Sequence, residues 1–204
     1  MSKNLILDLR LLVGLIIAHG LMYFTFDDRS IFWYIFSGTM LVLITFAMFQ
    51  EEVDDEASFL KYISIGILSG VLLYFLFWLG YQLIEMVYPP IDQSVKRLYR
   101  WFGPSIFWEY LALILIAAPG EELFWRGFVQ TRLLRYFGVF GSIFCGAFLY
   151  SLVHIYSGAF FLVLAAFVSG LIWGTLYLWK KSMPLVIVSH IVFDILMFIL
   201  YPLK

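Results

Sequence analysis

Charge is scarce in this chain. Of 204 residues only 13% are Asp, Glu, Lys or Arg, against 63% that are hydrophobic. A soluble domain is about a quarter charged and about half apolar, so the composition excludes a water-soluble globule. Cysteine occurs once, as Cys145, which excludes an internal disulfide and argues against a Cys-ligated metal centre. The 13 basic and 14 acidic residues leave a net charge of −1, which offers no electrostatic footprint for nucleic acid. Asparagine is confined to Asn4, and there are three histidines. No internal repeat or low-complexity tract is present.

What the chain has is long apolar runs, at about 8–26, 31–49, 60–88, 105–118, 120–137, 139–157, 159–179 and 183–201. A spanning helix needs about 20 apolar residues, and lipid offers its backbone no partner outside the helix. The runs predict an all-α, polytopic transmembrane bundle of about eight spans, a single integral membrane domain over residues 1–204. Residues 1–104 would supply N-terminal spans and residues 105–204 the functional core. Lys3 and Arg10 ahead of "LLVGLIIAHG" look like the start of a signal peptide. No A-x-A-like cleavage site follows, so the segment reads as a retained first helix. "DDR" at 27–29 and "QEEVDDE" at 50–56 read as solvated loops. In "PPIDQSVKRLYRWFGP" at 89–104, Ile91, Val95, Leu98 and Phe102 recur at helical spacing with Lys96, Arg97 and Arg100 between them. That pattern predicts a helix lying in the membrane interface.

The stretch 105–137 reads either as one long crossing or as a hairpin broken at Pro119-Gly120. The hairpin places Glu121, His154, His190 and Asp194 at roughly 14–24 Å from one surface, and the single crossing separates Glu121 from His154 by roughly 18 Å in depth. Joint action of these residues therefore favours the hairpin. The resulting eight spans set Arg29, Lys96, Arg97, Arg100, Arg132, Arg135, Lys180 and Lys181 against Lys3, Arg10, Lys61 and Lys204. That asymmetry predicts Lys180 and Lys181 in the cytoplasm and both termini outside.

"PGEELFWRG" at 119–127 concentrates charge inside an apolar run. Ionisable groups at membrane depth cost about 2.5–3.5 kcal/mol each on insertion scales, which makes them functional candidates. Glu122 and Arg126 are four apart and face the same way, so they can pair. Glu121 lies about 100° round the helix and is left free, a candidate general base. The plainer alternative is one structural ion cluster stitching helices together. His154 sits in "YSLVH". His190 and Asp194, four apart in "SHIVFD", share a face, where Asp194 could fix the His190 tautomer or donate a hydrogen bond. The plainer alternative for each histidine is an interhelical hydrogen bond. His19 has no acidic neighbour at helical spacing and reads as structural or pore-facing. Glu85 and Glu109, nearer span ends, read as snorkelling or paired. The aromatic content of 21% reads as interfacial belts and helix packing.

"EELFWRG" at 121–127 resembles the E-E-x-x-x-R motif of the CPBP family of intramembrane proteases, the CAAX-protease and bacteriocin-processing (Abi) family. Tyr150 to His154 resembles that family's F-x-x-x-H, with tyrosine for phenylalanine, and His190 with Asp194 resembles its H-x-x-x-N/D. The three occur in family order, whereas residues 1–104 resemble only generic spans. The resemblance implies a glutamate-type endopeptidase with its active site inside the membrane. Glu121 and His154 would activate a water, His190 and Asp194 would stabilise the oxyanion, and Glu122, Arg126 and Tyr150 would give structural support.

Amide hydrolysis needs a base, an oxyanion donor and an acid for the leaving amine, and a carboxylate with two imidazoles supplies all three. The other intramembrane protease chemistries lack their residues, with no H-E-x-x-H, no paired G-x-G-D aspartates and no rhomboid-like serine loop at Ser169. No cofactor is required by this reading. A divalent metal such as zinc on Glu121, His154 and His190 stays open as the alternative. The expected partners are a membrane-associated peptide or protein substrate and the lipid bilayer, with no nucleic acid, and the expected location is a prokaryotic cell membrane. A proton-coupled transporter using the same residues as a relay, and a non-catalytic peptide-binding scaffold, are the competing readings.

Overall fold

The computed structural model describes residues 8–52 and 54–203. Lys3, Asn4 and Lys204 lie outside the described residues. Helix α1 (Leu9–Asp27) and α2 (Phe32–Gln50) are joined by a single 3₁₀ turn, Arg29–Ile31, which the Asp28 side chain caps through the Ser30 N–H at 2.9 Å. Helix α3 (Phe59–Val87) is followed, after Pro89 and Pro90, by the short α4 (Ile91–Phe102). The next helical stretch, Phe107–Ser157, runs for 51 residues. We divide it into α5 (107–137) and α6 (139–157), and α7 (Phe160–Lys180) and α8 (Met183–Leu200) complete the bundle. Among the described residues the β pairing is one isolated bridge, Asp55 with Ser182. Large apolar side chains such as Ile16, Val87 and Phe140 are exposed on the outside, as lipid-facing surfaces require.

The expected break at Pro119-Gly120 does not occur. Proline in a helix removes a hydrogen bond and presses its ring on the carbonyl four residues back. Here the turn before it, Leu113–Ala117, is π-helical and wider, and the Ala118 N–H bonds to the Leu113 carbonyl. The proline is accommodated and α5 continues. Gly120 lets α2 approach, since a Cβ there would meet Met40 at 3.0 Å.

The chain reverses instead at Gly138, whose φ of 65° and ψ of −171° belong to a region essentially open to glycine alone. Glu121 and His154 lie almost equally far from this turn, at roughly 25 Å along each limb for about 1.5 Å of rise per residue. A single long crossing therefore does bring them to one depth, and the predicted hairpin is unnecessary. No atom stands within 4 Å of a Cβ placed on Gly138, so Gly138→Ala carries backbone strain without a clash. We expect it to lower stability by about 1–3 kcal/mol, measured as a reduced melting temperature in detergent.

Among the described residues six helices are long and apolar enough to cross a membrane, and because one of them doubles back they make seven crossings, where the sequence suggested about eight. An odd number puts the two ends on opposite sides. At one end Arg132 pairs with Asp8 at 2.7 Å and Glu51 at 2.8 Å, Arg135 also bonds Glu51, and Lys181 reaches Glu56 at 3.2 Å. At the other the Tyr99 hydroxyl donates to the Met197 carbonyl at 2.8 Å and accepts from the Leu203 N–H at 3.1 Å. Arg132, Arg135, Lys180 and Lys181 thus share an end with Arg10 and Lys61, while Arg29, Lys96, Arg97 and Arg100 occupy the opposite one. The basic asymmetry that placed both termini outside shrinks to six against four among the described residues once the hairpin moves to Gly138.

The predicted interfacial helix is present as α4. Ile91 is buried and Val95, Tyr99 and Phe102 pack inward, while Lys96, Arg97 and Arg100 are exposed. Glu85 accepts from the Tyr81 hydroxyl at 3.4 Å. Glu109 folds back on the N–H of Ser105 at 2.6 Å and of Ile106 at 3.2 Å, capping the start of α5.

Candidate active site

Both glutamates of α5 are buried, Glu122 completely. The predicted pair exists, with Arg126 Nη1 donating to Glu122 Oε1 at 2.9 Å. The same oxygen also meets His190 Nδ1 at 2.7 Å, which the sequence did not suggest. Glu122 therefore ties α5 to α8 as well as neutralising Arg126. The Arg126 guanidinium lies over the rings of Tyr150 at 4.7 Å and Trp173 at 5.3 Å, spreading its charge onto two π faces.

Glu121 is turned to the other side of the helix, as expected. Its Oε2 accepts a hydrogen bond from the Tyr150 hydroxyl at 2.6 Å. His154 Nε2 stands 3.9 Å from Oε1 and His190 Nε2 stands 3.8 Å from Oε2, both beyond hydrogen-bond range. The tautomers follow from the opposite ring nitrogens. His154 Nδ1 faces the Tyr150 carbonyl at 2.9 Å and His190 Nδ1 faces a carboxylate, and both partners only accept. Each Nδ1 thus carries its hydrogen, and each Nε2 is presented to Glu121. Tyr150, whose ring is where the family has phenylalanine, acts through its hydroxyl.

Of the two roles its spacing allowed, Asp194 does not set the His190 tautomer. Its Oδ2 is 3.6 Å from His190 Nε2 and has no hydrogen-bond partner. Four residues along one helix face put the carboxylate beside the ring's far nitrogen, so Glu122 rather than Asp194 sets the His190 tautomer. His19 bonds the Tyr156 hydroxyl through Nδ1 at 2.9 Å, away from this group.

The side chains of Glu121, Tyr150, His154, His190 and Asp194 line one cavity of about 160 Å³. Apart from Ser169, its remaining wall is aromatic and apolar, with Phe26, Phe32 and Trp33 from α1 and α2 and Phe102 from α4. Residues 1–104 thus wall the chamber that the three motifs furnish.

Trp173 was not foreseen. It is almost fully buried, stacks on the His190 ring at 3.8 Å and 25°, and donates its Nε1–H to Ser189 Oγ at 3.2 Å. Gln130 ends the "FVQ" that extends the resemblance as F-R-G-x-x-Q, and its Nε2 donates to the Gly174 carbonyl at 2.8 Å, a partner the motif did not suggest. The available signal was the small residues in "SGLIWG": a Cβ on Gly174 would meet Gln130 Oε1 at 2.6 Å and one on Gly170 would meet Ala147 at 3.0 Å. Such spacing marks a close helix contact beside Trp173.

The zinc alternative would need Glu121, His154 and His190 as joint ligands. No group of three His, Cys, Asp or Glu among the described residues has a metal-holding arrangement, so no step is routed through a metal.

Neither a curated protein nor a solved structure matches the chain. Residues 103–196 do match a family model, that of the Rce1-like type II CAAX prenyl endopeptidases, and the matched stretch carries all three motifs. The resemblance read from the residues therefore holds over this part of an integral membrane protein, which is similar to the Rce1-like CAAX endopeptidases.

Proposed function

We propose that the protein is an intramembrane endopeptidase of the CAAX type, hydrolysing a peptide bond of a membrane-associated protein or peptide with a water activated by Glu121 and His154. The observation that carries this is the pair of acceptors at 3.9 Å, Glu121 Oε1 and His154 Nε2. The gap is too long for a direct bond and suits one water held at about 2.8 Å from each. The Tyr150 hydroxyl fixes the second Glu121 oxygen and so aims the first at the cavity.

In the buried cluster, charge has to balance. Ionised Glu121 and Glu122 are offset by Arg126 and by a His190 imidazolium, provided Asp194 is in its acid form. That imidazolium donates Nδ1–H to Glu122 and presents Nε2–H to the cavity beside the Asp194 O–H. The water then transfers a proton to Glu121 as its oxygen bonds to the scissile carbonyl carbon. The oxyanion forms against His190 Nε2–H and Asp194. On collapse the C–N bond breaks and the Glu121 proton passes to the leaving amine. Donors already aimed at the developing charge cost no reorganisation at that moment.

The test is cleavage of a membrane-inserted CAAX-type peptide by reconstituted protein, comparing wild type with Glu121→Gln. A non-catalytic scaffold would bind peptide equally in both and cleave in neither. A transporter would instead show gradient-driven flux. Within the proposal, Asp194→Asn should keep substantial activity, because its amide donates without needing a proton, whereas His190→Ala should lose most of it. Equal loss in both would show that the Asp194 carboxyl is needed as such.

A further inference from the structure

Helix α4 and the start of α7 enclose a second cavity, of about 410 Å³, at the end of the bundle away from Gly138. Arg97, Leu98 and Trp101 line it from α4, and Phe160 and Phe161 from α7. The Arg29 guanidinium lies 3.5 Å from the centre of the Trp101 ring and that of Arg97 5.5 Å. Lys96 is paired with Asp92 at 2.9 Å. Among the described residues, no carboxylate stands in ion-pair range of Arg29, Arg97 or Arg100. The acids at this end have other partners: Asp28 holds Ser30, Glu109 caps α5, and Glu85 accepts from Tyr81. Asp27 ends α1 two residues before Arg29 and is not in ion-pair range of it.

Two guanidiniums on one indole, unpaired and at the membrane surface, with an aromatic groove running inward beside them, fit an amphiphile with an anionic head. We propose that this groove binds an anionic phospholipid, its phosphate on Arg29 and Arg97 and an acyl chain along Phe160 and Phe161. Guanidinium matches phosphate through paired N–H donors, and stacking on Trp101 orients the fork before the lipid arrives. Anionic leaflets also attract exposed basic residues close to the surface. Next to Trp101 on α4, Phe102 packs on Phe26 at 5.2 Å and Phe32 at 5.0 Å and lines the active chamber. A bound lipid would therefore brace the helix that closes one wall of the site.

The binding claim stands apart from the hydrolytic reading and is tested without it. Native mass spectrometry of the detergent-purified protein, after exposure to equal amounts of phosphatidylglycerol and phosphatidylcholine, counts the lipid retained. Wild type should retain phosphatidylglycerol several-fold over phosphatidylcholine. Arg29→Gln with Arg97→Gln should erase that preference, while Lys61→Gln, at the opposite end, should preserve it. Both arginines are exposed, so the double variant should melt like wild type. Should it not, Arg97→Lys, which keeps the charge but loses the fork, must still weaken retention. No preference in wild type, or an undiminished preference in the double variant, overturns the proposal. So does displacement of the lipid by an equal concentration of inorganic phosphate, which would mark a free-anion site.

Discussion

Glu121→Gln is expected to leave a folded protein that has lost on the order of 10²–10⁴ of its hydrolytic rate, the usual cost of removing a general base. Glutamine is nearly isosteric, and its amide oxygen can still accept from the Tyr150 hydroxyl. It cannot take a proton from water. Arg126 keeps its Glu122 partner, and loss of the Asp194 proton beside His190 can restore the charge balance, so the melting temperature should stay close to wild type. Turnover per folded molecule, measured with detergent melting on the same preparation, checks both halves. A Glu121→Gln protein that still cleaves would remove the water-activation scheme altogether.

Glu122→Gln should fail on both measures. One Glu122 oxygen holds Arg126 at 2.9 Å and His190 at 2.7 Å in a fully buried setting. Removing the charge leaves the guanidinium uncompensated, and breaking a buried pair typically costs roughly 3–5 kcal/mol. From the Glu122–Arg126 spacing alone, lower stability would be the main effect, with activity falling partly in consequence. The contact to His190 adds a loss of turnover per folded molecule, since the glutamine oxygen can still accept from Nδ1–H but no longer carries the charge that supports the ring's cationic form. A Glu122→Gln protein that is destabilised but fully active once folded would show that His190 needs no help from this carboxylate.

The motif residues were legible because cost at membrane depth singles them out. Glu121, Glu122, Arg126, His154, His190 and Asp194 do meet, and the helical rotation between Glu121 and Glu122 was read correctly. The path of the chain was not. Pro119-Gly120 carries the local signature of a break, whereas the reversal is made by Gly138, flanked by Phe137 and Val139. Proline's effect depends on whether the preceding turn can widen, which no spacing rule reports. Partner choice was misread in the same way. His190 and Asp194 are neighbours along one helix, but Glu122 reaches the correct ring nitrogen from another, and only the packing of α5 on α8 decides that. Trp173 was hidden by abundance, as one of seven tryptophans in an aromatic-rich chain.

Glu121 and Glu122 sit between two π-helical segments, Leu113–Ala117 and Leu123–Gln130. A π turn holds an extra residue compared with an α turn, so each segment resets the angular phase of everything beyond it. Losing one residue from Leu113–Ala117 would let that turn relax to ordinary α geometry. Wherever the flanking chain stayed anchored by its packing, the two carboxylates would then keep their side of the bundle. The same loss from a regular stretch of α5 would turn them by about 100°, sending Glu121 away from His154. The widened turns make this helix locally tolerant of a change in length at the place where its orientation matters most.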